Sequence, residues 1–380
     1  MSPPATTIFT AMAALAEETG AVDLGQGSPD EDGTVVLLEA AVDALRAGHN
    51  QYAPLAGVPV LRQAIADHQR RRYGLVFDPD REVQVTFGAT EGLAAALLAL
   101  LQPGDEVLVL DPSYDSYAPI ARRVGATMSP IPLDPPAWRV TPEAVAAAIT
   151  PRTRMLLLNS PHNPTGRVLD RGELELLVGV CREHDLLALT DEVYERLVYE
   201  GTHLPLATFD GMAERTLTVS SLAKTHGLTG WKVGWVTGPA DLMAQVRGVK
   251  QFLSFAGGTP LQHAAAVGLN LPDRVVDDYA AGLRAKRDRL ADGLAAAGFS
   301  VLPNQGTYFL NVDVAPLGEP DAEALALRLP VEAGVVAIPV SALSADPARV
   351  GSILRFACCK RDAVLDDAVA RLSSWAAARR

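Results

Sequence analysis

From about residue 82 the chain repeats one alternation, a short apolar run followed by an amphipathic helical pattern. "EVQVTF" precedes "EGLAAALLALL", "EVLVLD" precedes "SYAPIARRVG", and "RMLLLN" precedes "RGELELLVGVCREH". The runs "LLALTD", "TLTVSS" and "KVGWVTG" follow. These runs are continuously apolar, the pattern of strands buried on both faces. Such strands separated by helices predict an α/β fold, with a mostly parallel central sheet covered by helices on both sides. Near residue 275 the rhythm changes. A long charged helical pattern, "VVDDYAAGLRAKRDRLADGLAAAG", precedes strand runs "TYFLNVDV", "GVVAIPV" and "SILRFACC" and a closing helix from about Asp362. That order predicts a smaller α+β domain, completed by the N-terminal segment. The expected division is 46–275 for the large domain, with 1–45 and 276–380 for the small one. The Pro-rich "PIPLDPPAW" at 130–138 reads as a connecting loop.

Composition narrows the function classes. A chain of 380 residues, 48% hydrophobic, can bury a large core. Its 33 basic and 45 acidic residues give a net charge of −12, a mean field that repels nucleic acid and anionic membranes. Small-molecule partners are expected. The N-terminal "MSPPATTIFTAMAALAEETG" has no Lys or Arg and breaks its apolar residues with acids, unlike a signal peptide or a membrane anchor, so a cytoplasmic location is expected. Cys181, Cys358 and Cys359 have no metal-ligand spacing; they read as small core residues, the adjacent pair facing opposite sides of a strand, and no metal is expected.

In parallel sheets ligands collect at the carboxyl ends of the strands, so the polar residues there carry the argument. After "EVQVTF" come Gly88, Ala89 and Thr90 at a helix start, either a tight turn capped by Thr90 or a cup of N–H groups for an anion. After "RMLLLN" comes "SPHNPTG", either a Pro-rich turn or a backbone constrained to aim the amide of Asn163. After "LLALT" comes Asp191, with Tyr194 three residues on; a carboxylate there needs a cation or good donors. After "TLTVS" come Ser221 and Lys224, with Lys232 beyond two glycines. A pyridinium nitrogen would satisfy Asp191. A phosphate would satisfy Ser221, Lys232 and the Gly88 turn, and a carbonyl would satisfy Lys224. Pyridoxal phosphate carries all three groups and is bound as a lysine Schiff base.

Nine motifs in order then resemble the class I, fold-type-I pyridoxal-phosphate aminotransferases over nearly the whole chain: "LGQGSPD", "NQYAPLAG", "GAT", "DPSYDSY", "NSPHNPTG", "DEVY", "SLAK", "GWKVGW" and "LRFACCK". The resemblance implies that Lys224 carries the cofactor and shuttles the proton, and that Asp191 keeps the ring nitrogen protonated. It implies that Asn163 and Tyr194 hold the phenolate oxygen and that Tyr114 stacks on the ring. Phosphate would be met by Ala89, Thr90, Ser221, Lys232 and, from the neighbouring subunit of a homodimer, Tyr52. Arg355 would take the substrate α-carboxylate as a two-pronged pair, flanked by Gly27 and Asn163, with Phe9 at the side-chain end. Many relatives carry Arg where Lys232 stands, but a phosphate needs charge more than a fork.

The "GWKVGW" form is similar to the branch of kynurenine, glutamine, methionine and N-succinyldiaminopimelate aminotransferases. That similarity implies ping-pong transfer between an L-amino acid and a 2-oxo acid, with N-succinyl-LL-2,6-diaminopimelate and 2-oxoglutarate/glutamate as the leading pair, in lysine biosynthesis. The alternative is a broad glutamine, methionine or aromatic (kynurenine-type) aminotransferase, with cysteine-conjugate β-lyase chemistry open to the same Lys224. A sensor domain of a transcription regulator would need a helix-turn-helix segment, and only about 20 residues precede "AVDLGQG".

Overall fold

In the computed structural model, which describes residues 7–379, the strands in chain order are β1 (Val22–Asp23), β2 (Val83–Phe87), β3 (Glu106–Asp111), β4 (Thr127–Pro132), β5 (Thr153–Asn159), β6 (Leu187–Asp191), β7 (Thr216–Ser221), β8 (Val233–Thr237), β9 (Ser300–Val301), β10 (Phe309–Asp313), β11 (Val335–Val336), β12 (Ile338–Pro339) and β13 (Ile353–Ala357). The central sheet has seven strands in the order β2-β8-β7-β6-β5-β3-β4. Strand β8 runs antiparallel to both its neighbours, and the other neighbouring pairs are parallel. A four-stranded antiparallel sheet, β12-β13-β10-β9, lies apart from it, and β1 pairs with β11.

The apolar runs are buried on both faces because alternate residues enter different cores. On one face Met155 and Leu157 pack with Leu93 and Leu97 of the helix Gly88–Leu100 and with Met243 and Val246 of the helix Ala240–Leu253. On the other, Leu156 and Leu158 pack with Leu174 and Leu177 of the helix Arg171–Glu183. That last helix opens with a reciprocal cap between Asp170 and Glu173. Burying each such leucine is worth about 1.5–3 kcal/mol, so the two-sided pattern sets the layer order.

The second core joins the helix Ile8–Thr19, the helix Asp273–Ala297 and the four-stranded sheet through Met12, Leu290, Leu310 and Phe356. The helix Val35–Arg46 instead places Leu37 with Leu222 and Ala265. No helix among the described residues is long and apolar enough to cross a membrane.

Two local expectations change. The first three residues of the expected loop, 130–132, instead end strand β4; it is the sheet's edge, where a proline's missing N–H costs no ladder bond. Strand β13 stops at Ala357, so Cys358 and Cys359 lie just past it, and the opposite-face geometry of a strand does not apply to them. Both are buried, as is Cys181, and all three are free thiols.

Candidate active site

The register of the central sheet brings four of the motifs side by side. Asn159, the last residue of β5, is level with Asp191, the last of β6, and Ser221 at the end of β7 is level with Gly234 of β8. Because β8 is antiparallel, the residue before it, Lys232, reaches the same edge that the parallel strands reach with their carboxyl ends. Lys232 takes a left-handed backbone (φ 55°), a rare state for a residue with a Cβ and one that concentrates at functional turns. Asn159, Asp191, Ser221 and Lys232 line a cavity of about 640 Å³.

One end of the cavity is the start of the helix Gly88–Leu100, three residues earlier than the sequence pattern suggested. Gly88 has φ +73°, and a Cβ there would lie 2.9 Å from Lys232 Cε and 3.0 Å from its Nζ. A Cβ on Gly234 would lie 2.5 Å from the Gly88 carbonyl carbon, so both glycines are needed for the close approach. Ala89, Thr90 and Ser221 line the same end. Free N–H groups, a helix dipole and an ammonium group together favour a phosphate-like anion.

Asp191 lines the cavity. One carboxylate oxygen accepts from Tyr117 Oη at 2.7 Å, while the other lies 3.4 Å from the Val193 N–H. Asn159 Nδ2 donates to its backbone carbonyl at 2.8 Å. Burial raises its pKa to about 6, against the lowering effect of the Tyr117 bond. No ion pair to Asp191 forms among the described residues, so a protonated ring nitrogen is the kind of group its carboxylate suits. Tyr114 lines the cavity beside it, its ring edge-to-face with Tyr117 at 5.6 Å. Tyr194 lines it too, with burial holding its phenol well above the ordinary value.

Lys224 sits in the single helical turn Leu222–Thr225 that follows β7. Burial lowers its amine to about 8, so about a tenth of it is neutral at pH 7. Its Nζ donates to Tyr308 Oη at 2.8 Å. Arg355, on β13, is 1% exposed. It donates to Asn163 Oδ1 at 2.8 Å and to the Gly25 carbonyl at 3.0 Å. Its guanidinium lies 3.9 Å from the centroid of Phe309 and 5.2 Å from that of Phe9. Arg355 Nε is buried with no hydrogen-bond partner among the described residues, leaving a donor for an anionic ligand. Gly27 borders the same space: a Cβ there would lie 2.6 Å from Tyr308 and 2.7 Å from Phe309.

The cavity thus gathers Phe9, Gly27, Ala89, Thr90, Tyr114, Asn163, Asp191, Tyr194, Ser221, Lys224, Lys232 and Arg355, drawn from every part of the chain. Tyr52 is the exception. It stands outside the cavity, 85% exposed, its ring edge-to-face with Phe255 at 6.0 Å. Three contributors had no separate signal in the sequence. Tyr117 shares the motif "DPSYDSY" with Tyr114 but opens the helix Tyr117–Arg123 as an apolar-face residue; Asn159 ends a strand run; Tyr308 precedes β10 among apolar neighbours that mask it.

A mostly parallel sheet with a cleft at its carboxyl edge, holding a half-buried lysine and a buried carboxylate, is the architecture of a cofactor-dependent enzyme. The chain belongs to the aminotransferase class I and II family, whose model matches residues 19–372. Enzymes of this family use pyridoxal phosphate. The chain is 50% identical over 384 residues to a probable N-succinyldiaminopimelate aminotransferase, DapC, of Mycobacterium tuberculosis, covering 98% of this chain and 97% of that protein. It is 40% identical over 372 residues to the methionine aminotransferase of Escherichia coli, covering 97% and 95%. The solved structure of N-succinyldiaminopimelate aminotransferase from Mycobacterium tuberculosis superposes with a TM-score of 0.95 at 50% identity, covering 98% of this chain and 97% of that one.

Proposed function

We propose that this aminotransferase holds pyridoxal phosphate in the cavity described and moves an amino group from N-succinyl-LL-2,6-diaminopimelate to 2-oxoglutarate, each substrate binding in turn. The observation that carries the site reading is the convergence of a half-buried lysine, a buried carboxylate without a cation and a buried guanidinium in one cleft. The substrate rests on the 50% identity to the diaminopimelate enzyme across nearly all of both chains.

Bound there, pyridoxal phosphate supplies a carbonyl for an amine and a conjugated ring that accepts the electrons freed when the substrate loses its α-proton. The turn at Gly88, Ala89 and Thr90, with Ser221 and Lys232, would hold its phosphate. Asp191 would keep a proton on the ring nitrogen, and Tyr117 and Asn159 keep Asp191 in place. Asn163 and Tyr194 would meet the phenolate oxygen, and Tyr114 would cover the ring. Lys224 would bind the carbonyl and then take up and return the α-proton, a task that suits an amine near 8. Arg355 would pair with the α-carboxylate common to every substrate, beside Gly27 and Asn163. Phe9 would border the side chain.

The same reading makes the protein a homodimer in which Tyr52 completes the partner's phosphate site. Support comes from the exposure of Tyr52, 85%, and of Phe255, whose ring it meets, apolar surface of the kind that associates. It also treats 46–275 as the large domain, with the flanking segments forming the small one; residues 1–6 and 380 lie outside the described residues. A second reading, a broad enzyme for methionine, glutamine or aromatic donors, is supported by the 40% identity to a methionine aminotransferase.

The deciding assay ranks kcat/KM for succinyl-diaminopimelate, glutamate, methionine, glutamine and kynurenine against 2-oxo acid acceptors. The expected leader is succinyl-diaminopimelate; a lead by methionine or glutamine would select the second reading. Pyruvate release from a cysteine conjugate without an acceptor would reveal β-lyase chemistry.

A further inference from the structure

Tyr308 is fully buried, yet its hydroxyl makes two close hydrogen bonds and also faces the side chain of Tyr194. It donates to the Gly27 carbonyl at 2.7 Å and accepts from Lys224 Nζ at 2.8 Å. A hydroxyl has one proton, and Gly27 takes it, so towards the amine this oxygen acts only as an acceptor. The backbone beside it is strained. Thr307 is left-handed (φ 65°), a costly state for a β-branched residue, held by its N–H to the Leu197 carbonyl and by its hydroxyl accepting from the Phe309 N–H.

Resting on the function proposed above, we propose that Tyr308 is a positioning residue for Lys224. It holds the lysine whenever its amine is free, through the relay from Gly27 carbonyl to Tyr308 hydroxyl to Lys224 Nζ. The amine then spends an N–H on Tyr308 and keeps its lone pair for the carbonyl or proton it must meet. The relay also ties Lys224 to Gly27, at the carboxylate end of the site. Facing the same amine are the rings of Tyr194 and Tyr308, at 5.8 and 5.5 Å, and the side chains of Asp191, Cys359, Lys232 and Arg355. Among the described residues, Tyr308 alone hydrogen-bonds to it. Burial keeps the Tyr308 phenol well above its ordinary value, so it stays protonated across the working pH range.

The test uses the cofactor-free protein and reads the rate of pyridoxal phosphate capture by absorbance as a function of pH. An acceptor favours the charged amine as well as orienting it, so removing the hydroxyl has two opposed effects. Tyr308→Phe should lower the plateau rate about tenfold and move the midpoint down by about half a pH unit, as expected for one hydrogen bond to a group that charges. An unchanged profile, or a lower plateau with an unmoved midpoint, overturns the proposal, because loss of packing alone leaves the amine's acidity where it was. Should that variant not fold, 3-fluorotyrosine at position 308 keeps the hydroxyl and weakens the oxygen as an acceptor. The midpoint should again fall, and a midpoint equal to that of the unlabelled protein refutes the relay. Wild-type protein that captures no pyridoxal phosphate at all would instead refute the reading of the site, a different result from either.

Discussion

The guanidinium of Arg355, on the small sheet, donates to the side-chain oxygen of Asn163, on the loop after β5, across 2.8 Å. One buried hydrogen bond therefore links the small sheet to the loop after β5 in the lining of the cavity, between residues 192 positions apart. Removing Arg355 should act on everything that carries an α-carboxylate. Arg355→Ala is expected to raise KM for amino donors and 2-oxo acceptors alike, costing about 2–5 kcal/mol in kcat/KM as for other buried charge pairs. Steady-state kinetics on one donor and one acceptor will check it, and a rise confined to one substrate would contradict the assignment.

Asp191→Ala should leave a folded protein that still binds pyridoxal phosphate but loses kcat by about 100-fold or more, the scale of losing one preorganised charge partner. Cofactor content by absorbance and kcat on the same preparation separate the two effects. Retained kcat would reduce Asp191 to a structural role.

Mixing Tyr52→Phe chains with Lys224→Ala chains should restore activity that neither has alone, since a hybrid two-fold dimer contains one site free of both changes. Lys224→Ala by itself should lose at least about 10³-fold in rate, having lost both attachment point and base. The absence of complementation after mixing, with sedimentation as a monomer, would remove the shared-site model.

Phe9 lies over Arg355 at 5.2 Å and lines the cavity. Phe9→Ala should reorder the ranking of donors by about tenfold for apolar against polar side chains, the scale of one hydrophobic contact, while Arg355→Ala leaves that ranking intact. The opposite result would mean that the two ends of the substrate are reversed.

Acid should destabilise the protein through buried neutral histidines. Burial lowers His162 to about 3 and His226 to about 4, against about 6.5 in the unfolded chain. Below pH 6.5 the unfolded state binds more protons than the folded one. Stability is therefore fully present above that pH and falls as pH drops towards the folded values, by up to about 1.4 kcal/mol per pH unit for each histidine. Denaturant titrations between pH 5 and 7 should show this slope, and His162→Gln should flatten it. An equal slope in the variant would exclude His162 as a source.

The cofactor side of the site was legible along the chain because its residues end strands or begin helices. Asp191 and Ser221 close apolar runs, Lys224 follows one, and the Gly88 turn opens a helix, so one-dimensional periodicity already marked them as candidates. Two of the family motifs also hold Gly27 and Arg355, and the family resemblance pointed to Phe9. What the chain could not express was contact between distant segments. The bonds from Tyr117 to Asp191 and from Tyr308 to both Lys224 and Gly27 span 74, 84 and 281 positions, and no local pattern marks either tyrosine as polar in function. The β4 edge shows the same limit, since its prolines read as loop until sheet order leaves their missing N–H groups facing no partner strand. Local sequence sets which backbone states and faces are favourable, because those depend on neighbours a few residues away. Which buried hydroxyl meets which amine depends on the packing of two sheets, and only the tertiary structure decides that.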